Sequence, residues 1–258
     1  VNPRAGLELD WVVRPAATPK RIAVVGAGAA GMNFAFGAAE RGHQVTLFEA
    51  GTELGGQLRL ARNVPGKTEF DEMLRYFGVR LKETNVDLRL NSAPTAAQLS
   101  SGDFDEVVVA TGVKPRTLEI PGIYRPEVLR YDQALSNEHA IGARVLVLGA
   151  GAIAFDMVEF LLGEAPHQPP ALADFATEYG LDTSAASAGG RKGKPVPMAA
   201  RRQVTLLQRS DKRPGSSLAL TTGWIRRDKA LRFGVKILTG VAAQRIDHAG
   251  LHFQAADG

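Results

Sequence analysis

The sequence contains no cysteine among its 258 residues. This excludes disulfide scaffolds, cysteine nucleophiles, thiolate zinc sites, and iron–sulfur clusters or redox-active cysteine pairs held by this chain alone. The five histidines show no metal-ligand spacing, so we predict no metal site. No apolar run approaches the roughly 20 residues of a membrane-spanning helix, so we expect no membrane partner and a cytoplasmic location.

The first residue is a valine rather than an initiator methionine, and no signal-peptide pattern follows it. We therefore expect the chain to be cut at its start. Acidic residues are scarce in one region, because residues 191–236 hold thirteen lysines and arginines but only two acidic residues. Such a block is typical of a solvated face or of a surface that binds phosphate groups. No RNA-binding aromatic motif and no helix-turn-helix spacing accompanies it, so we predict no nucleic-acid partner.

The hydrophobic pattern alternates between short β-rich runs and helical stretches, which predicts an α/β fold with parallel sheets. In the first half, strands are predicted at 21–25, 44–49, 86–90 and 106–110, with helices ending near Arg41 and spanning 68–83. The pattern then restarts, with strands at 144–148, 203–207 and 235–238 and helices at 152–162 and 222–233. The chain therefore contains two copies of a strand, glycine turn, helix and strand unit.

This repeat predicts three regions along the chain. Residues 1–20 are a connecting arm, 21–135 a first nucleotide-binding domain, and 136–258 a second one. The second domain carries an insertion at 163–202 that is rich in Pro, Ala and Gly. Leu172, Phe175 and Tyr179 are spaced for one helix within that insertion.

The first glycine turn, GAGAAG at 26–31, follows a strand and opens a helix, and Glu49 lies 21 residues after Gly28. That context is the dinucleotide-binding fingerprint. Gly26 permits the tight turn, Gly28 lets the backbone approach a pyrophosphate, and Gly31 lets helix and strand pack closely. Glu49 is predicted to accept hydrogen bonds from the ribose hydroxyls of the adenosine.

Two further motifs favour FAD over NAD at this first turn. The acidic residue is followed by ELGGQ at 53–57, and a Gly-Gly pair after the second strand is the flavoprotein extension of the fingerprint. The last strand of this half ends in VATG at 109–112. Gly112 has no side chain, so the backbone there can run close to a flavin.

The second glycine turn, GAGAIA at 149–154, lies between a strand and a helix in the same way. Gln208 and Arg209 stand where an acid would end the next strand, with Lys212 and Arg213 close behind. An acid binds a ribose 2′-hydroxyl and repels a 2′-phosphate, whereas basic residues bind a 2′-phosphate through charge-assisted hydrogen bonds. The sequence predicts NADPH here, and an NADH site beside surface arginines is the alternative.

These motifs together make the chain resemble the C-terminal half of bacterial NADPH-dependent 2,4-dienoyl-CoA reductases, iron–sulfur flavoproteins of the old yellow enzyme and trimethylamine dehydrogenase group. The resemblance covers essentially the whole chain. It includes VNPRA, VVGAGAAGM, RGHQVTLFEA, VPGKTEF, EVVVATGVKPR, GAGAIAFD, LLQRSDKRPG and TTGWIRR. It implies a fold of two Rossmann-like dinucleotide-binding domains, C-terminally truncated because a later segment of the family completes the FAD site.

The resemblance also implies which residues bind each cofactor. FAD contacts are expected at Gly26, Gly28, Ala29, Ala30, Gly31, Glu49, Ala50, Gly56, Gln57, Lys67, Pro94, Ala110, Thr111 and Gly112. NADPH contacts are expected at Gly149, Gly151, Ala152, Ile153, Arg209 and Lys212. FMN, a 4Fe-4S cluster, the substrate site and the catalytic residues are implied in an N-terminal barrel outside this chain, so no catalytic residue is predicted here.

The predicted function is therefore the electron-entry module of a dienoyl-CoA reductase in fatty-acid β-oxidation. Hydride passes from NADPH to FAD, and single electrons then pass to the cluster and FMN of the barrel, which is the expected partner. Three alternatives stay open. They are a trimethylamine dehydrogenase-like module whose second site is not a hydride source, another NADH:flavin oxidoreductase of this group, and a non-catalytic docking module.

Overall fold

The computed structural model describes residues 5–136, 138–163, 171–190, 192 and 199–255. The chain divides into two compact units, one of residues 1–61 and 69–114 and the other of residues 62–68 and 115–258. The predicted domain boundary at residue 135 stays a prediction. No helix among the described residues is long and apolar enough to cross a membrane.

The first unit is built on a four-stranded parallel sheet in the order β3-β2-β1-β4. Its elements are β1 (Arg21–Val25), α1 (Ala29–Glu40), β2 (Gln44–Phe48), α2 (Leu58–Ala61), α3 (Glu69–Glu83), β3 (Asp87–Arg89), α4 (Ala96–Leu99) and β4 (Glu106–Val109). The long strands and helices lie where the hydrophobic pattern predicts them. The short helices α2 and α4 were not predicted, because four residues are too few to show a helical period.

The core of the first unit lies between the sheet and the helices α1 and α3. Met32 of α1 and Leu47 of β2 are fully buried there, and Phe77 and Leu81 of α3 pack into the same cluster. Burying each such side chain contributes about 1.5–3 kcal/mol. The helices therefore hold the carboxyl ends of β1, β2 and β4 in a fixed register, and that edge carries the glycine turn.

A polar clamp joins the start of β1 to the start of β4. The backbone N–H of Arg21 donates to Oδ2 of Asp105 at 2.7 Å, and its guanidinium donates to Oδ1 at 3.1 Å. These two hydrogen bonds to the carboxylate hold the pKa of Asp105 below its usual range, with the guanidinium as the larger cause. The clamp fixes the register in which β4 joins β1.

The second unit contains a three-stranded parallel sheet, β5-β6-β7, and an antiparallel hairpin, β8-β9. Its elements are α5 (Tyr131–Leu135), β5 (Arg144–Leu148), α6 (Ala152–Leu162), α7 (Leu172–Tyr179), a 3-10 turn (Ala188–Gly190), β6 (Gln203–Leu207), α8 (Gly223–Arg232), β7 (Lys236–Leu238), β8 (Ala242–Asp247) and β9 (Gly250–Gln254). The series β5-α6-β6-α8-β7 repeats β1-α1-β2-α3-β3 of the first unit, with the same strand order. The predicted internal repeat is confirmed, whereas α5 and the hairpin were not predicted.

The predicted helix of the insertion is present as α7, and α8 anchors it. Arg232 of α8 donates to the backbone carbonyl of Glu178, and its guanidinium lies 5.2 Å from the ring centre of Tyr179. Burial raises the pKa of the Tyr179 hydroxyl. Residues 164–170, 191 and 193–198 of the insertion lie outside the described residues.

Candidate dinucleotide-binding sites

The first glycine turn has the backbone geometry that its three glycines predict. Gly26 has a φ of +103°, and a Cβ there would lie 2.5 Å from the carbonyl oxygen of Ala110. A Cβ on Gly31 would lie 1.8 Å from the carbonyl oxygen of Gly26, so helix and strand approach as closely as the fingerprint requires. A Cβ on Gly28 would meet no atom within 4 Å. Gly28 therefore faces open space, the place where a pyrophosphate would lie.

The helix that follows this turn presents an uncapped N-terminus. Gly28 is the N-cap residue of α1, no side chain caps it, and the first turn carries no acidic residue. The first N–H groups of a helix have no partner within the helix and carry a partial positive charge. Ala29 and Ala30 are exposed at this end. The arrangement fits a bound phosphate group.

Glu49 turns its carboxylate toward the glycine turn. Oε2 accepts a hydrogen bond from the N–H of Ala27 at 2.8 Å, and Oε1 accepts one from the N–H of Gly51 at 2.8 Å. Each oxygen keeps a second lone pair for another donor. The structure thus places the predicted ribose acceptor beside the turn, and Ala50 lies exposed next to it.

The Gly-Gly pair packs directly on the turn. The N–H of Gly55 donates to the carbonyl of Ala27 at 2.9 Å, and a Cβ on Gly56 would lie 3.2 Å from Cα of Gly28. Gly55 was not among the predicted contacts. Its φ of +118° and its place in the Gly-Gly pair indicate that this position also requires glycine. The pair therefore closes one side of the pyrophosphate position.

The end of β4 lies against the same turn. The N–H of Ala110 donates to the carbonyl of Val25 at 2.8 Å. Thr111 and Gly112 follow as exposed residues, and Nε2 of Gln57 donates to the carbonyl of Val113 at 3.1 Å. The structure thus brings the Gln57 and 110–112 segments together at the sheet edge that carries the turn.

Two further predicted FAD contacts, Pro94 and Lys67, are described by their own neighbours. Pro94 lines a groove with Phe48 and Arg89, near the point where the N–H of Ser92 donates to the carbonyl of Glu49 at 2.8 Å. Lys67 groups with the second unit, where its Nζ lies 2.6 Å from Oδ2 of Asp156. Contact of either residue with FAD stays a prediction.

The second glycine turn repeats the geometry of the first. Gly149 has a φ of +115°, and its N–H donates to the carbonyl of Leu207 at 2.8 Å, so the turn begins beside the end of β6. Gly151 is the N-cap of α6, which no side chain caps and whose first turn carries no acid. Ala154 stands where the first copy has its third glycine and is buried. Ala152 and Ile153 lie exposed at the helix start.

A basic segment connects the end of β6 to this second turn. Arg209, Lys212 and Arg213 are exposed, and none of the three forms an ion pair within the described residues. At the far end of the segment, the N–H of Gly215 donates to the carbonyl of Ala150 at 3.1 Å. The sequence predicted the basic residues but not the hydrogen bond between Gly215 and Ala150. This hydrogen bond places a segment with three positive charges that form no ion pair in the described chain, and one exposed carboxylate, Asp211, between the strand end and the glycine turn.

An ion-pair cluster on α6 was also missed by sequence reasoning. Asp156 binds Lys67 through one carboxylate oxygen and Arg226 of α8 through the other, and Arg226 also lies 3.6 Å from Glu159. Only 17% of the Asp156 side chain is exposed. Lys67 and Arg226 are far in sequence from Asp156 and Glu159, and only the packing of α6, α8 and residues 62–68 brings them together.

The residues at the two glycine turns are suited to bind two dinucleotides, one in each unit. Each unit offers a positive-φ glycine turn, an uncapped helix N-terminus and a polar strand end beside it. No group of three histidine, aspartate or glutamate side chains in the described part of the chain is arranged to hold a metal ion. The fold and the two turns define a class, the oxidoreductases that bind a flavin nucleotide and a pyridine nucleotide on two Rossmann-like units.

Comparison with known proteins gives the family. Residues 20–256 match the pyridine nucleotide-disulphide oxidoreductase family, and the chain belongs to it. The family is a set of FAD- and NAD(P)-binding oxidoreductases, as the two turns indicate. This chain departs from the family's name in one respect, because without cysteine it holds no redox disulfide of its own.

Individual relatives are longer than this chain. It is 36% identical over 161 residues to the bilirubin reductase of Mediterraneibacter gnavus, covering 62% of this chain and 25% of that protein. It is 40% identical over 119 residues to the N,N-dimethylglycine/sarcosine dehydrogenase of Chromohalobacter salexigens, covering 46% and 17%. The solved structure of a 2-naphthoyl-CoA reductase with 2-naphthoyl-CoA superimposes with a TM-score of 0.78 at 26% identity, covering 100% of this chain and 34% of that one. The chain is thus a flavin and NAD(P) module of a multidomain flavoprotein family.

Proposed function

We propose that the chain is the electron-entry module of an NADPH-dependent reductase of the 2,4-dienoyl-CoA reductase type. When bound, FAD accepts hydride equivalents from NADPH and releases single electrons to an iron–sulfur cluster and FMN, which the proposal assigns to an N-terminal barrel of the same polypeptide. Similarity to a reductase whose structure holds an aryl-CoA thioester supports a conjugated acyl-CoA as the final acceptor.

The observation that carries the proposal is the different chemistry of the two strand ends. In the first unit the strand end carries a carboxylate, Glu49, directed at the glycine turn. In the second unit no acid stands there, and the unpaired cations Arg209, Lys212 and Arg213 lie on a segment tied to the turn. The first arrangement suits the ribose hydroxyls of FAD, and the second suits the 2′-phosphate of NADPH.

The chain's own residues contribute orientation and electrostatics. The two helix N-termini receive the pyrophosphates, and Gly28 and Gly151 let the backbone approach them without a Cβ in the way. Asp156 binds Lys67 and Arg226 in one cluster, which fixes residues 62–68 against α6 and α8. The cofactors supply the redox chemistry, and the protein sets which atoms face each other.

Anaerobic reduction of the flavin tests this proposal. The chain is loaded with FAD, freed of oxygen and mixed with NADPH or NADH, and the visible absorbance of oxidised flavin is followed. We expect bleaching with NADPH and much slower bleaching with NADH. Bleaching by neither nucleotide contradicts an electron-entry role, and faster bleaching by NADH contradicts the assigned nucleotide.

A second candidate is the corresponding module of an amine dehydrogenase. The 40% identity to N,N-dimethylglycine/sarcosine dehydrogenase favours it. In that case the second site is not a hydride source, and the loaded flavin stays oxidised with either nucleotide. The same anaerobic experiment therefore separates the two candidates.

A further inference from the structure

Gln208 occupies the position in the second unit that Glu49 occupies in the first. Each residue directly follows the last residue of a strand, Phe48 in β2 and Leu207 in β6. Those strand ends pair with equivalent residues of the neighbouring strand, Val25 and Leu148, immediately before the two glycine turns. The two side chains therefore start from the same place relative to their turns.

The Gln208 side chain forms its hydrogen bonds within its own loop. Its Nε2 donates to the carbonyl of Ser210 at 2.9 Å, to the hydroxyl of Ser210 at 3.0 Å, and also to the carbonyl of Lys212. An amide nitrogen has two hydrogens, so these three acceptors share them. One neutral side chain thus folds residues 208–212 into a compact turn.

The backbone of Gln208 is fixed as firmly as its side chain. Its N–H donates to the carbonyl of Leu238 at 2.8 Å, and its carbonyl accepts from the N–H of Val241 at 3.0 Å. The N–H of Gly240 donates to the carbonyl of Ser210 at 3.1 Å. The backbone of residues 238–241 therefore holds Gln208 and Ser210 at the start of the loop. The side-chain amide of Gln208 then sets the direction in which the loop leaves β6.

The other end of the basic segment is also fixed. Besides its hydrogen bond to Ala150, Gly215 has a φ of +72°, and a Cβ there would lie 2.9 Å from Cδ1 of Leu218 and 3.1 Å from Cε2 of Phe155. Residues 209–214 are thus held between two anchors, the Gln208 amide at one end and the glycine turn at the other. The cations lie between these anchors without acidic partners in the described chain.

We propose that Gln208 is a positioning residue that selects NADPH over NADH. Its amide holds the loop so that Arg209 and Lys212 meet a 2′-phosphate, and at position 208 a neutral amide stands in place of a carboxylate that would repel that dianion. This inference rests on the proposed function of the second site. It adds that the selectivity depends on a side chain that does not touch the nucleotide.

Two small ligands isolate the 2′-phosphate in the test. Adenosine 2′,5′-bisphosphate carries it and adenosine 5′-monophosphate does not, and calorimetry measures the affinity of the FAD-loaded chain for each. The ratio of the two affinities is the readout. A merely structural loss lowers both affinities together and leaves the ratio unchanged.

We expect Gln208→Ala to lower the affinity for the bisphosphate about tenfold, because the loop loses hydrogen bonds of roughly average strength. The affinity for the monophosphate should stay within about twofold. Gln208→Glu should lower bisphosphate binding about a hundredfold, since it also places a charge near the phosphate. Gln203→Ala is the matched control, an exposed glutamine at the opposite end of β6, and should leave the ratio unchanged.

The outcomes separate this inference from the proposed function. If the unchanged chain prefers the bisphosphate but Gln208→Ala and Gln208→Glu keep that preference, the role of Gln208 is wrong and the nucleotide assignment stands. If the unchanged chain binds both ligands equally, the nucleotide assignment and the role of Gln208 both fail. A lower ratio in both variants, with an unchanged ratio in Gln203→Ala, supports the role of Gln208.

Discussion

At the scale of single residues, the two units differ in the charge that each strand end presents. Glu49 uses both carboxylate oxygens on backbone N–H groups of its own unit, so part of its role is to hold the turn. Arg209 makes no ion pair within the described chain and holds nothing in place. A change at Glu49 should therefore affect binding and stability together, and a change at Arg209 should affect binding alone.

We expect Arg209→Ala to weaken NADPH binding by roughly 1–3 kcal/mol, because a charge-assisted hydrogen bond to the 2′-phosphate is lost. NADH binding should change little. Equilibrium titration of the FAD-loaded chain with each nucleotide measures the effect. Lys236→Ala removes another exposed cation of the same unit and is the control. Equal losses of affinity for NADPH and NADH would show that Arg209 does not bind the 2′-phosphate.

We expect Glu49→Ala to lower FAD affinity roughly 10- to 100-fold, because the ribose hydroxyls lose a charged acceptor. The turn also loses the bond to the N–H of Ala27, so the unfolding temperature should fall. Flavin titration and thermal unfolding of the same preparations separate the two effects. Glu53→Ala is the control, since that carboxylate lies on the surface in an ion pair with Arg59. An unchanged flavin affinity in Glu49→Ala would contradict the ribose assignment.

At the scale of elements, each glycine of the first turn has a separate task. Gly31 permits the packing of α1 on the sheet, whereas Gly28 faces open space. The same helix contains Gly37, where a Cβ would meet no atom within 4 Å. One helix thus offers three glycine positions that differ in what an added methyl group would meet.

Replacing these glycines by alanine should give three different results. Gly31→Ala should destabilise the protein by roughly 3 kcal/mol, because its Cβ collides with a backbone carbonyl. Gly28→Ala should keep stability within about 1 kcal/mol but lose FAD, since its Cβ fills the pyrophosphate position. Gly37→Ala, the control, should stabilise the helix by about 0.5–1 kcal/mol. Denaturant unfolding and flavin titration check all three, and full FAD binding by Gly28→Ala would contradict the site.

The clamp between β1 and β4 predicts a pH dependence. Hydrogen bonds to Arg21 lower the pKa of Asp105, so the folded state favours the charged carboxylate. The clamp is therefore fully stabilising above the ordinary pKa of aspartate, about 4, and is lost as the pH falls through the lower folded value. Asp105→Asn should be less stable than the unchanged chain near neutral pH, and the difference should shrink below about pH 4.

Denaturant unfolding at a series of pH values measures this difference. Asp10→Asn removes an exposed carboxylate that makes no side-chain bond in the described chain, and it should leave the stability unchanged across the range. A difference for Asp105→Asn that grows as the pH falls would reverse the sign and disprove the clamp.

At the scale of the whole molecule, the chain matches only part of the length of its relatives. It spans about a quarter of its bilirubin reductase relative. Without cysteine it holds no iron–sulfur cluster through thiolates. Under the proposed function, electrons that enter this chain leave it through another carrier.

We expect the chain with excess FAD to catalyse NADPH-dependent reduction of an artificial one-electron acceptor at a low rate. The same preparation should not reduce a dienoyl-CoA, because the proposal places the substrate site and the group that protonates the substrate in the N-terminal barrel. The loss of acceptor colour measures the first activity, and the absorbance of the dienoyl-CoA measures the second in the same preparation. Turnover of a dienoyl-CoA by this chain would overturn the module proposal.

Much of this architecture follows from sequence alone because its determinants are local. A glycine turn, the strand before it and the helix after it lie within about twenty residues, so their pattern is visible in one short stretch of sequence. The repeat of that pattern could also be predicted from sequence, because both copies use the same residue types. The hairpin β8-β9 was not predicted, because the run at Ala242–Asp247 lacks a clear alternation of apolar and polar side chains.

The tertiary structure decided which distant residues meet. Asp156 and Arg226 are 70 positions apart, and Gly215 reaches Ala150 across the whole insertion. The direction of the Gln208 amide likewise depends on carbonyls that the loop brings to it. No local pattern encodes these contacts, because they depend on how packed helices and strands place side chains in three dimensions. The sequence by itself therefore determined the two nucleotide-binding turns and the sign of the charge beside each, and the packing of the folded chain determined how those charges are held.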